Sequence, residues 1–275
     1  MAGISSYSFV VMNTPLLVGC CGYPGNPQRY QRELPLVELQ RTFRALPRLK
    51  TAKRWREAAT ARFVFALRAW QRITHPASSP TYRGLTLSPD EQREVGHFQK
   101  NATVDAAWER TRAIAEALKA RALVFESPSD FTPTREHRNR LASFFEQIER
   151  PEDALLVWDP RGVWDEEESA AIARDLNLVL CSDGEDNLRD GPSYVKVRHA
   201  SFGGEDIERL VRRLSGGDQT LVLLQTNDAF AWARRLWRRL AEEAEDFEDS
   251  DNFEDSDDFG DSDDFGDSDD FGDSE

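Results

Sequence analysis

Eight short apolar runs, each followed by a helical pattern or a long connection, constrain this chain more than any other feature. They are LLVGCCGY (16–23), LVELQRTF (36–43), FVFALRAW (63–70), ALVFESP (122–128), ALLVWDP (154–160), LNLVLCSD (176–183), YVKVRHA (194–200) and LVLLQTND (221–228). Several are rich in Val, Leu and Phe with little polar alternation, as expected of parallel strands covered on both faces. Between them, Leu141, Phe144, Phe145 and Ile148 recur at helical spacing after a Thr132/Thr134 N-cap region. Trp108, Ala115 and Leu118 mark a helix over 103–120. Asp165 with Glu168 reads as a capping box, and Asp228 as the cap of a last helix that turns Phe230, Ala233, Trp237 and Leu240 inward. Eight such alternations within 245 residues predict a single-domain α/β fold, a (β/α)8 TIM-like barrel. A doubly wound sheet is the alternative, but GCCGYPG after the first strand places Pro where a phosphate-binding helix should begin.

Charge divides the chain in two. Residues 246–275 are five hexads, DFEDSD, NFEDSD, DFGDSD, DFGDSD and DFGDSE, holding 16 of the 50 acidic residues and no Lys or Arg. The remaining 35 basic and 34 acidic residues leave residues 1–245 with a formal charge of +1. The hexads have too little apolar surface to offset their chain entropy, so a disordered acidic tail is expected, able to recruit a basic protein partner or to fold back over the Arg-lined mouth and compete with an anionic ligand. Residues 1–14 read as a flexible leader, and 15–245 as the barrel. Cys20, Cys21 and Cys181 have neither disulfide nor zinc spacing. No apolar run reaches the ~18 residues a membrane span needs. The expectation is a cytoplasmic protein that does not engage membranes.

In a barrel, chemistry belongs at the carboxyl ends of the strands. The third run ends in Arg68 and Trp70, with His75 just beyond, and the next strong helix begins only near Asn101, a connection far longer than the usual 2–6 residues. That connection, with Tyr82 and Arg83, reads as a lid or binding loop. Glu38 and Gln40 share one side of the second strand by parity. A buried Glu38 needs a partner, and Arg68, one strand along, is the expected one.

RAWQRITHPASSPTYR (68–83), VELQRTFRALP (37–47), VGCCGYP (18–24), VFESPSDFTPT (124–134) and WDPRGVW (158–164) together resemble the YecE-like family, domain of unknown function 72. Within it they are similar to the branch that reads KAWQLITHxxSSPTYR. The resemblance spans residues 16–240 in order. It implies a TIM-like barrel and no established reaction. Here the family's KAWQ lysine is Arg68, the Gln of VFQTP is Glu126, the Glu of WEPRG is Asp159, and His199 precedes Ala200 where the family has HG. Arginine at 68 keeps a positive charge but cannot serve as a Schiff-base or general-base amine, so a lysine-dependent reaction is not expected.

The candidate site gathers these residues at the mouth. Arg68, Arg161 and Arg198, with Gln40, Trp70, Tyr82, Arg83, Asp159 and Asn227, would hold an anionic small molecule or nucleic acid. His75 or His199 would move a proton, with Glu38 or Glu126 orienting the base or acting itself. Gly203 and Gly204 precede a helix after the seventh strand, where barrels often hold phosphate on backbone N–H groups. No cofactor is expected; a divalent metal on Glu126, Asp159, Asp183 or His199 is the weaker alternative. Trp158 and Trp164 read as core before stacking platform. Two functions fit: an enzyme, a hydrolase or lyase, acting on a phosphorylated, nucleotide or nucleic-acid ligand, or a non-catalytic module that retains such a ligand.

Overall fold

The computed structural model describes residues 16–183, 192–198, 202–214 and 219–251. Its eight strands are β1 Leu16–Cys21, β2 Leu36–Leu39, β3 Val64–Arg68, β4 Ala122–Glu126, β5 Leu155–Asp159, β6 Val179–Asp183, β7 Ser193–Val197 and β8 Thr220–Leu224. Each pairs in parallel with the next, and β8 pairs with β1, closing the barrel. All eight apolar runs hold a strand; six of the strands stop two to four residues before their run does, β5 stops one residue before, and β6 ends with its run at Asp183. The excess residues turn onto the carboxyl face, where the candidate groups lie.

The helices are α1 Pro27–Tyr30, α2 Arg41–Arg44, α3 Leu49–Ala58, α4 Gln71–Thr74, α5 Pro89–Glu94, α6 Ala102–Leu118, α7 Arg135–Gln147, α8 Glu166–Asp175, α9 Gly204–Leu214 and α10 Ala229–Asp251. Local chemistry fixes several starts. Thr134 caps α7 by accepting from His137 N, and Asn101 caps α6 by accepting from Val104 N. Asp165 accepts from Glu168 N at α8, but the Glu168 carboxylate bonds Arg138 instead of closing the expected box. Ser88 and Glu91 do form a capping box, at α5. The last helix runs on to Asp251, into the first hexad; the rest of the expected tail and the 1–14 leader lie outside the described residues.

Two apolar layers hold the barrel. Outside the strands, Phe125, Phe144, Phe145, Trp108 and Phe98 pack ring on ring, while Trp158 is fully buried against Trp164. Inside, Leu17, Leu36, Ala66, Ala122, Val124, Val157, Tyr194, Leu221 and Leu223 form the second layer. The two-residue period of a strand sorts these sets, so the interior positions can be followed along each strand. They run Leu36, Glu38, Gln40 on β2 and its extension; Ala66, Arg68 on β3; Val124, Glu126 on β4; Val157, Asp159 on β5; Tyr194, Lys196, Arg198 on β7 and its extension. The inner core is apolar at the amino ends and charged at the carboxyl ends. Gly19 admits the closest strand approach: a Cβ there would lie 2.0 Å from the Leu36 carbonyl oxygen.

Candidate functional site

The charged interior positions close into a ring. Glu38, with 0% exposure, receives the Lys196 ammonium at 3.0 Å and the Tyr194 hydroxyl at 2.5 Å. Lys196 also reaches Asp159 at 3.4 Å. Asp159 holds Arg198 at 2.5 Å and Arg161 at 3.6 Å. Arg161 continues to Glu126 at 3.3 Å, Glu126 to Arg68 at 2.7 Å, and Arg68 to Gln40 at 3.1 Å. Gln40 donates back to Glu38, completing the circuit. Five strands contribute to it, so closure of the barrel is what brings residues 38 and 196 together.

The expected Glu38–Arg68 pair is not made. Arg68 projects toward β4 and takes Glu126, its guanidinium lying 4.0 Å from the Phe43 ring centroid. Glu38 instead meets β7 across the barrel. Lys196 and Tyr194 were missing from the sequence-derived set, although the Tyr194, Lys196, Arg198 parity places all three on the face assigned to Arg198 alone. A lysine therefore stands in the site, at 196 rather than 68.

The ring sets its own protonation. Burial works against the Lys196 charge, but the Glu38 and Asp159 carboxylates hold its ammonium well above the usual lysine range. Burial would raise Glu126, yet Arg68, Arg161 and Lys196 outweigh it and keep the carboxyl low. The Tyr194 phenol is pushed well up by burial and by Glu38. Burial and Glu38 raise the Cys21 thiol; burial and Asp159 raise Cys181. Cys21 and Cys181 are free and line the same mouth.

His75 borders the ring without joining it. It is 5% exposed, with Nδ1 2.8 Å from Thr74 Oγ1 and its ring edge-on to Phe43 at 4.8 Å. Burial pulls its pKa to about 4 against the opposing pull of Glu126. The long connection after β3 is anchored near its two ends, with its middle exposed: Tyr82 donates to the His75 carbonyl at 3.2 Å, and Phe98 enters the core. Trp70 donates to the Arg44 carbonyl and stacks with Arg72 and Arg110 at 4.6 and 4.8 Å, apart from the ring. Arg83 and Asn227 are exposed. The Gly203 N–H is taken by Asp206 at 2.7 Å, and Gly204 begins α9. His199 lies outside the described residues. Among those described, no cluster of three or more His, Cys, Asp or Glu is placed to hold a metal ion.

A family model described as "Protein of unknown function DUF72" matches residues 26–244. Two crystal structures share the architecture. A DUF72 family protein from Enterococcus faecalis is 13% identical, with 82% of this chain and 97% of that one covered and a TM-score of 0.60. A DUF72 family protein from Thermotoga maritima is 14% identical, with 82% and 98% covered and a TM-score of 0.57. No curated protein matches the chain.

Proposed function

The chain belongs to the DUF72 family, which supplies a fold and no reaction, and on the ring's chemistry we propose that the carboxyl-end mouth binds the phosphate of a phosphorylated small molecule, a nucleotide or a nucleic-acid end. One observation carries the reading: among the described residues, the ring and its Arg198 branch are short of acceptors. There, Arg68, Arg161, Lys196 and Arg198 set four positive charges against the buried or part-buried Glu38, Glu126 and Asp159, and the half-exposed Asp183, 3.3 Å from Arg198, makes up the difference. The Nε donors of both Arg68 and Arg198 are buried with no hydrogen-bond partner among the described residues. An anion with several oxygens would engage the open faces of the guanidinium groups, whose geometry suits phosphate. Arg161 and Arg198, 34% and 15% exposed, form the accessible edge.

Buried ion networks seldom add stability over apolar packing of the same shape, which favours a functional reason for one at this end of a barrel. A second reading, turnover of the bound ligand, is favoured by Lys196, Tyr194 and Glu38 meeting at the floor, where an ammonium and a phenol could hydrogen-bond the charge developing on a leaving oxygen. His75, with its pKa pulled to about 4, is a weak base at neutral pH. A thermal-shift series with pyrophosphate, nucleoside monophosphates and sugar phosphates tests the binding. Ligand at about one hundred times Kd should raise Tm by about 5 °C, and Arg161→Ala or Arg198→Ala should abolish the shift. A shift that survives both substitutions, or no shift with any of these compounds, would remove the proposal.

A further inference from the structure

The connection from β2 to β3 carries charge that the mouth does not use. Residues 41–57 contain seven basic side chains and a single carboxylate, Glu57. Arg56 turns inward onto the carbonyls of Phe63 and Thr60. The other six, Arg41, Arg44, Arg48, Lys50, Lys53 and Arg54, are exposed, and none forms an ion pair with a described carboxylate. Helices elsewhere do the opposite: Arg112 holds Glu109, Glu116 and Glu149, Arg138 holds Glu168, and Arg239 holds Glu208 and Glu243. The same wall exposes Leu49 and Trp55, at 46% and 37%. Unbalanced cations interleaved with apolar side chains fit a polyanion that also carries aromatic groups.

Such a polyanion is part of this chain. Residues 252–275 hold twelve acidic residues, no basic ones, and Phe253, Phe259, Phe265 and Phe271 at six-residue spacing. Helix α10 delivers the chain along β8 and β1, and its Arg234 pairs with Glu33, just before β2. The wall built by α2 and α3 comes next around the barrel. Twenty-four residues span up to about 80 Å when extended, ample for the distance. A tethered segment also meets the wall at an effective concentration of about millimolar, which an untethered polyanion must match from solution. We propose that residues 252–275 dock in cis on the basic wall of α2 and α3, their carboxylates on the six cations and their Phe side chains against Trp55 and Leu49. The mouth is the poorer surface for so long a segment, because its four cations are recessed, the most open being Arg161 at 34% exposure.

Zero-length carbodiimide cross-linking of the full chain tests this, because it joins carboxylates to lysine amines in contact. Lys50, Lys53, Lys100 and Lys119 are all exposed, so the last two are internal controls. Tail links to Lys50 and Lys53 should exceed those to Lys100 and Lys119 by about fivefold or more and should fall as salt is raised to about 0.3 M. Arg48→Glu with Arg54→Glu leaves both reporter lysines in place and should cut their links by a similar factor. In a mixture of isotopically heavy and light protein the links should stay within one chain. Links spread evenly over the four lysines, links only between chains, or no tail links while the wall binds short single-stranded DNA would each overturn the proposal.

Discussion

Lys196 is desolvated between two carboxylates, and what its charge loses to burial Glu38 and Asp159 must return. Removing one member of such a set leaves an uncompensated buried charge, so Lys196→Met should cost about 3–5 kcal/mol in urea unfolding, and Glu38→Gln with it should cost less than the two singles summed. Strict additivity would contradict the coupling. His75 makes a separate, pH-dependent prediction. Its folded pKa of about 4 lies below the ordinary value of 6.5. Above pH 6.5 both states are neutral and it contributes no slope. Between 6.5 and 4 the unfolded chain takes the proton and the folded chain does not, so stability falls as pH falls, and below about 4 the loss stops. His97 is shifted in the same direction by burial, so the informative quantity is a difference between two proteins. From pH 7 to 4.5, His75→Asn should lose about 2–3 kcal/mol less than the parent chain; equal losses would show that His75 is not held neutral. At this scale the sequence was legible in part. Arg68, Glu126, Asp159, Arg161 and Arg198 were all named and do meet, whereas Lys196 escaped because two flanking valines made it look like an interruption in a core strand. The choice of Glu38's partner was also out of reach, since neighbouring strands offer a pairing that only the closed cross-section corrects.

Among the elements, the connection between β3 and α6 departs most from its sequence reading. Length alone argued for a lid, but its short helices and buried Tyr82 and Phe98 pin it beside β3. Gly96 is the pin that can be tested. Its φ is +87°, and a Cβ there would lie 2.2 Å from the His75 carbonyl carbon. Gly96→Ala should therefore cost about 2 kcal/mol or more and raise hydrogen exchange across residues 71–98 while leaving β5 to β8 protected. Unchanged exchange in that segment would return it to the status of an independent loop. Strand existence was legible everywhere, because parallel strands buried on both faces carry a strong apolar signal. Strand ends were not, because the residues that leave the sheet at the mouth are still partly buried and look like more strand.

For the whole molecule, closure is the property that matters. Eight parallel strands in sequential order place residues 38, 68, 126, 159 and 196 on one inner surface, which no local pattern in the chain displays. The count of alternations made the barrel readable; the circuit of ion pairs needed coordinates, because it is made of contacts between residues up to 158 positions apart. The molecule thus separates two kinds of positive charge: a set inside the mouth held by buried carboxylates, and a set on the α2–α3 wall that pairs with no described carboxylate. The central claim concerns the first set, and a crystal of the full chain soaked in tungstate, a heavy tetrahedral analogue of phosphate, tests it most directly. The account predicts an anomalous peak at the carboxyl end of the barrel within hydrogen-bond reach of Arg161 and Arg198. A mouth without tungstate, with the anion bound only on the outer wall, would contradict it.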